Sequence, residues 1–275
     1  MAGGEPVPPG IDVTKPNVAR VYDAFLDGKD NFAADRAVVE LTLQIAPDAA
    51  AGAKANRAFL RRAVRFLAAE AGITQFLDIG SGLPSSGNVH EIAHQVNPAT
   101  RVVYTDIDPV VSIHSPAMLK KSPTARMVTA DIRQPAAILD HPQVRDFIDF
   151  SRPVGLLMLA ILHHISDSED PEGITAQFRD ALAPGSYLAI TSFRMPGPEH
   201  PEDAAAARAV QRLFNEKLGT GLWREHEQIL AWFGDWELVE PGLVPLPEWH
   251  PDIVGQVKRN ATYYGFVGGV ARKPS

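Results

Sequence analysis

Four short runs in this 275-residue chain combine residue types and spacings that chemistry could use. In Asp78-Ile79-Gly80-Ser81-Gly82-Leu83 a carboxylate precedes two glycines one residue apart, so the backbone can turn sharply and approach a ligand closely. About two dozen positions further on, Asp106-Ile107-Asp108-Pro109 places an acidic side chain where it can accept hydrogen bonds from both hydroxyls of a ribose. Asp131-Ile132 offers a carboxylate for an adenine amino group, with an apolar neighbour to pack on the ring. Finally, Leu159-Ala160-Ile161-Leu162-His163-His164 ends an apolar run in two imidazoles that titrate near neutral pH, which makes His163 and His164 candidate general bases. Each run also has a plainer reading. Glycine turns are common, Asp-Pro starts ordinary turns, and a His-His pair can be a pocket wall.

These runs need elements to hold them in phase. Gln75–Ile79 is short and apolar, as a buried strand would be, and a helical pattern follows with Val89, Ile92, Ala93 and Val96 on one face. Asn88 and Glu91 are spaced as a capping pair at its start. Further candidate strands are Arg101–Thr105, Ala125–Thr129, Val154–Leu159, Ser186–Ser192, Trp236–Glu240 and Tyr263–Ala271. The helical stretches between the first five are long enough for right-handed crossovers in a parallel sheet, whose ligands bind beyond the carboxyl ends of the strands. The four runs all fall at such ends.

Outside this alternation the chain divides into a flexible Pro- and Gly-rich leader (1–16), a helical cap (17–72) and the α/β domain (73–275). In the cap, Val18, Val21, Tyr22 and Phe25 share a face, Val38 to Ile45 form a second helix, and Leu60, Val64 and Leu67 line a third. Arg57, Arg61, Arg62 and Arg65 fall largely on its other faces and read as a solvated surface. The stretch 194–234 is longer than the other connections, contains two helical patterns, and is a candidate lid.

Composition limits the function. With 45% hydrophobic and 21% charged residues the chain reads as an ordinary globular protein, and a net charge of −7 argues against a nucleic-acid backbone as main partner. No apolar run approaches the roughly 20 residues of a membrane span, and no secretory signal is visible. The absence of cysteine removes thiolate metal sites and cysteine nucleophiles and fits a cytoplasmic location. Two adjacent histidines are poor metal-ligand spacing, so no metal is expected.

The glycine turn also discriminates between ligands. A dinucleotide pyrophosphate needs a third glycine to bring a helix N-terminus close, whereas Leu83-Pro84-Ser85-Ser86 follows here. A ligand with ribose and adenine but no phosphate, S-adenosylmethionine (SAM), fits better than a nicotinamide cofactor. Asp78-Ile79-Gly80-Ser81-Gly82, Asp106, Asp131-Ile132 and the apolar fourth strand resemble the successive motifs of class I SAM-dependent methyltransferases. More narrowly, the chain resembles an actinobacterial family first listed as a domain of unknown function and later named S-adenosyl methyltransferase. The resemblance rests on Ala19–Asp23, Gly28–Arg36, Asn56–Arg62, Gln75–Pro84, Asn88–Glu91 and Val239–Val244, and covers nearly the whole chain after the leader. Ser85, Phe193 and His250 stand where the family usually carries Thr, His and Arg; the last two bear on substrate specificity rather than cofactor binding.

The resemblance implies a Rossmann-like, seven-stranded, mostly parallel sheet with its last strand antiparallel, and in-line methyl transfer from SAM, leaving S-adenosylhomocysteine (SAH). Its cofactor-binding candidates are Asp78, Gly80, Ser81, Gly82, Leu83, Asn88, Asp106, Ile107, Asp131, Ile132, Leu159 and Ala160: Gly80 and Gly82 let the backbone pass under the methionine part, Asp78 orients water or backbone groups near its amino end, Asp106 takes the ribose, and Asp131 with Ile132 takes the adenine. Tyr22 and Asn31, in or near a polar turn of the cap, are candidates to close over the methionyl carboxylate, although that turn could equally cap the next helix. Three functions follow: methyl transfer to a small molecule, SAM binding without transfer as a sensor or partner, and, less favoured, nicotinamide oxidoreduction. Binding of SAM but not NAD excludes the third, and turnover separates the first two.

Overall fold

The computed structural model describes residues 11–84, 87–119, 122–252 and 259–275; residues 1–10 of the expected leader and Ser85 lie outside the described residues. Helices α1 (Val18–Phe25), α2 (Ala33–Ile45) and α3 (Ala49–Ala69) come first. Asn17 caps α1, its side-chain oxygen accepting the Arg20 backbone N–H at 3.2 Å. The buried Asp35 carboxylate accepts from the Asn17 N–H at 2.9 Å, the Phe32 N–H at 2.8 Å and Arg20 Nε at 2.9 Å. One charge, fully partnered as burial demands, thus ties the starts of α1 and α2 together.

Strands and helices then alternate: β1 (Gln75–Ile79), α4 (Val89–Ala93), β2 (Arg101–Asp106), α5 (Pro109–Leu119), β3 (Ala125–Thr129), α6 (Pro135–Leu139), α7 (Pro142–Arg145), β4 (Gly155–Leu159), α8 (Pro171–Ala181) and β5 (Tyr187–Phe193). After β5 come α9 (Pro201–Leu218), α10 (His226–Ala231), β6 (Glu237–Leu238), β7 (Val244–Pro245), α11 (Ala261–Gly265) and β8 (Phe266–Arg272). The sheet order is β3-β2-β1-β4-β5-β8-β6, with β7 also paired to β8. β1 to β5 are parallel and β8 runs antiparallel to β5, β6 and β7. The seven expected strands are therefore present, and the two-residue β7 adds an eighth.

Alternation along the strands buries both faces of the sheet. Leu77, Val103, Leu156, Met158 and Ile190 meet α6, α7, α8 and α10 through Ile138, Val144, Ile174, Phe178 and Ile229. On the opposite face Phe76, Val102, Leu157 and Ala189 meet α3 and α4 through Phe59, Val64, Leu67 and Val89. A third cluster joins Val21, Phe25, Val38 and Ala53 of α1–α3 to Val210 and Phe214 of α9.

Four expectations are corrected. Tyr263 and Tyr264 belong to α11, because the Asn260 side chain accepts the Tyr263 N–H at 3.0 Å and starts a helical turn, so the last strand begins at Phe266. The Trp236–Glu240 strand shrinks to two residues, and α4 ends at Ala93, leaving Val96 exposed. Arg62 is not on a solvated face: it is buried, and its guanidinium donates to the Trp249 carbonyl at 2.8 Å and the Leu246 carbonyl at 2.6 Å.

Candidate active site

Chain order reverses between β1 and β4, so the connections leaving these strands diverge and open a crevice at the carboxyl end of the sheet. A cleft of about 780 Å³ lies there, a size suited to a small-molecule site. It is lined by Asp78, Gly80, Ser81 and Gly82 after β1, Asp106 and Ile107 after β2, Asp131 and Ile132 after β3, and Leu159, Ala160, His163 and His164 after β4.

The glycine turn is positioned by β2. The Gly80 and Ser81 N–H groups both donate to the Thr105 carbonyl, at 2.8 and 3.0 Å. Gly80 has φ +69°, and a Cβ there would stand 2.6 Å from Ile161 Cγ1, so only glycine fits. Gly82 also has positive φ, but no described atom lies within 4 Å of its Cβ position, which leaves its backbone open for close approach. Its N–H donates to Asp106 Oδ2 at 2.9 Å, while Oδ1 accepts the Asp108 N–H at 2.9 Å. Burial raises the Asp106 carboxyl above its ordinary value.

Asp78 is the most perturbed carboxyl of the group. Burial pushes it up to about 7; the positive charge of Arg57 pulls it down, and the nearby Asp106 adds to the rise. Asp131 is instead paired with Arg133, whose Nε lies 2.8 Å from Oδ1, and Arg133 reaches on to Glu169 at 3.1 Å.

The histidines differ from one another. Burial drives both well below the ordinary imidazole value, His164 to about 4, so both are neutral at pH 7. His163 Nδ1 accepts the Phe193 N–H at 3.3 Å, which puts the proton of the neutral ring on Nε2 and makes that nitrogen a donor. The ring also stacks on Phe193, with centroids 3.7 Å apart. His164 Nδ1 is buried with no hydrogen-bond partner among the described residues. No group of residues able to hold a metal ion occurs among the described residues.

Tyr22 lines the cleft, yet its hydroxyl is engaged. It donates to the Ala53 carbonyl at 3.3 Å and accepts from Asn56 Nδ2 at 2.9 Å. Asn56 Oδ1 accepts from Thr191 Oγ1 at 2.7 Å, and Thr191 Oγ1 accepts the Ala160 N–H at 2.8 Å. This chain connects the cap to the cleft floor, where Ala160 takes the left-handed φ of +56°. Asn31 and Leu83 are not among the lining residues. Asn31 Nδ2 donates to Asp23 Oδ2 at 2.9 Å and the Gly28 carbonyl at 3.0 Å, closing its own turn. Asn88 borders a small recess beside Asp78, Ser81 and Gly82, and the Asn88 N–H donates to Glu91 Oε2 at 2.9 Å.

Sequence reasoning missed Arg57 and Trp223 as site residues, and gave Phe193 only as a position that bears on substrate specificity. Arg57 lines both cleft and recess and donates to the Gly87 carbonyl at 2.8 Å. The pointer was the Asn56–Arg62 run shared with the resembled family, but helical periodicity pooled Arg57 with its exposed neighbours. Phe193 and Trp223 carry no polar signal and become neighbours only through the fold.

These features define an α/β protein with a carboxylate-lined cleft at its switch point. A family model described as S-adenosyl methyltransferase matches residues 5–274. A crystal structure of a candidate methyltransferase from Thermobifida fusca is 47% identical, with a TM-score of 0.91 and 98% of each chain covered. A DUF574 family protein from Streptomyces avermitilis is 39% identical, with a TM-score of 0.89, covering 96% of this chain and 99% of its own. No protein of curated function matches the chain. The chain belongs to the S-adenosyl methyltransferase family; it is a SAM-dependent methyltransferase and SAM is its cofactor. The site fits that cofactor chemically: an unobstructed glycine backbone, a buried carboxylate beside it for an ammonium, and two further carboxylates at the neighbouring strand ends for hydroxyl and amino donors.

Proposed function

We propose that the cleft binds SAM and serves direct methyl transfer to a small-molecule acceptor. The observation that carries this is the convergence of Asp78, Asp106 and Asp131, from three successive strand ends, on one cleft floored by the Gly80–Gly82 turn. In this reading Gly80, Ser81 and Gly82 pass under the methionine part, Asp78 meets its ammonium, and Arg57 and Tyr22 face its carboxylate. Asp106, with Ile107 beside it, takes the ribose hydroxyls; Asp131 and Ile132 take the adenine, with Leu159 and Ala160 as floor. Bound SAM supplies a methyl group on a sulfonium: the acceptor's lone pair forms the new bond in line as the carbon–sulfur pair departs on sulfur. The positive charge disappears in that step, so the protein contributes mainly positioning and exclusion of water. Any proton on the acceptor atom leaves to solvent or to His164, since His163 presents a donor.

The helical cap (17–72) and the 194–234 stretch enclose the acceptor side in this reading, because residues of α1 and α9 line the same cleft. The net charge of −7 supports a small molecule over a nucleic acid, and the lack of cysteine fits a cytoplasmic location. Among the described residues no helix is long and apolar enough to cross a membrane. Calorimetric titration with SAH tests the site. Micromolar binding that Asp106→Ala weakens by about 1–3 kcal/mol is expected, and no binding by well-folded wild-type protein would overturn the reading.

A further inference from the structure

Beyond the strand-end carboxylates the cleft continues into a chamber between α1, α9 and the end of β5, and three observations describe what it accepts. First, its wall is a slab of parallel rings from three separate segments. Phe193 lies between His163 (3.7 Å, 17° between planes) and Trp223 (4.2 Å, 10°), and Phe214 and Phe266 flank it at 6.4 and 5.0 Å. Second, several polar side chains around the chamber are committed to the protein's own backbone, which leaves the His163 Nε2 donor and His164 Nδ1 as its main uncharged polar groups. Thr42 Oγ1 donates to the Val38 carbonyl at 2.7 Å, Thr262 Oγ1 to the Asp48 carbonyl at 3.0 Å, and Asn215 Nδ2 to the Gln211 and Gly221 carbonyls at 2.7 and 3.0 Å. Third, apart from the strand-end groups with Arg57 and Glu169, the charged side chain among the described lining residues is Asp203, in the first turn of α9 beside His200.

A sugar-like or anionic acceptor entering here would lose its water and find few partners beyond the His163 Nε2 donor, His164 Nδ1 and Asp203, at a cost of several kcal/mol. A planar apolar ring loses little and gains offset or edge contacts with the slab. We infer that the methyl acceptor is an uncharged, planar aromatic small molecule, held in this chamber against Phe193 and Trp223. The inference rests on the methyltransferase reading of the same cleft and adds the class of its second substrate. Burial keeps His163 in its neutral form, so the slab carries no charge at physiological pH.

Calorimetry on SAH-loaded full-length protein tests this with three probes of one outline: 2-naphthol, its saturated decahydro counterpart and naphthalene-2-sulfonate. The expected result is binding of 2-naphthol, about tenfold or more weaker binding of the saturated ring, and no binding of the sulfonate. Trp223→Leu, which removes one face of the slab, and Ala207→Phe, which fills the chamber from α9, should each weaken 2-naphthol about tenfold while SAH affinity stays within about threefold. SAH affinity in each variant also reports that it has folded. If SAH binds but 2-naphthol does not, or the saturated or sulfonated probe binds as well, the acceptor class is wrong and the methyltransferase site stands. If folded protein fails to bind SAH, the site reading falls and the acceptor assignment with it.

Discussion

Asp78 makes the site's energetics measurable. Its carboxyl is pushed from 3.8 to about 7, chiefly by burial. Three pH units correspond to about 4 kcal/mol held against the ionised form in the folded protein. Because the folded value lies above the unfolded one, the group's stabilising contribution is complete below about pH 4 and is lost as the pH rises through 7. Asp78→Asn keeps the outline and removes the charge. Asn retains part of the polar burial cost, so a gain of about 2 kcal/mol is expected at pH 8, or roughly 5 °C in thermal unfolding, fading towards pH 5. Ligand binding should move the opposite way. SAH brings an ammonium to the ionised carboxylate, and at pH 6 only about one Asp78 in ten is ionised. Wild-type affinity should therefore fall about tenfold from pH 8 to pH 6, with uptake of nearly one proton by buffer, seen as a dependence of the calorimetric heat on buffer ionisation enthalpy. The variant should bind weakly with a flat pH profile. A wild-type affinity that is constant between pH 6 and 8, or an Asn variant no more stable than wild type at pH 8, would show that burial does not hold Asp78 protonated.

Gly80→Ala forces a Cβ to within 2.6 Å of Ile161 Cγ1 at positive φ; a loss of about 1–3 kcal/mol in thermal unfolding and weaker SAH binding are expected, and a neutral result would remove the steric role of this turn. Arg62→Met leaves the Trp249 and Leu246 carbonyls without their buried donor and should cost about 3 kcal/mol in urea unfolding, whereas a solvated arginine would cost almost nothing. Asn56→Leu strips partners from both Tyr22 and Thr191; about 2 kcal/mol of stability and several-fold in SAH affinity should be lost together, and unchanged SAH affinity would show that the hydrogen-bond chain does not hold the cleft floor.

The parallel core of the fold was legible because its signals are local. β1 and β3 match their expected bounds; β1 is a buried strand that reads as a short apolar run closed by Gly80. The three carboxylates were legible for a related reason: one strand-helix-strand crossover has a characteristic length, so spacing along the chain maps onto neighbouring strand ends in one crevice. Where local preference and long-range context compete, context won. Tyr263 and Tyr264 favour strands by type but sit in a turn capped by Asn260. Arg62 finds its carbonyl partner 187 residues away, and no helical wheel shows that. The His163–Phe193–Trp223 slab is assembled from three separate segments. The unusual value of Asp78 belongs to the same class: the residue type supplies a carboxyl, but its charge depends on how much water the packed sheet, Arg57 and Asp106 leave around it. The order of elements and the chemical groups at the strand ends follow from the chain alone, because those depend on neighbours along it. The tertiary structure decided which groups are buried, which face the same cleft and which are charged, because desolvation and Coulomb energies depend on distances in space.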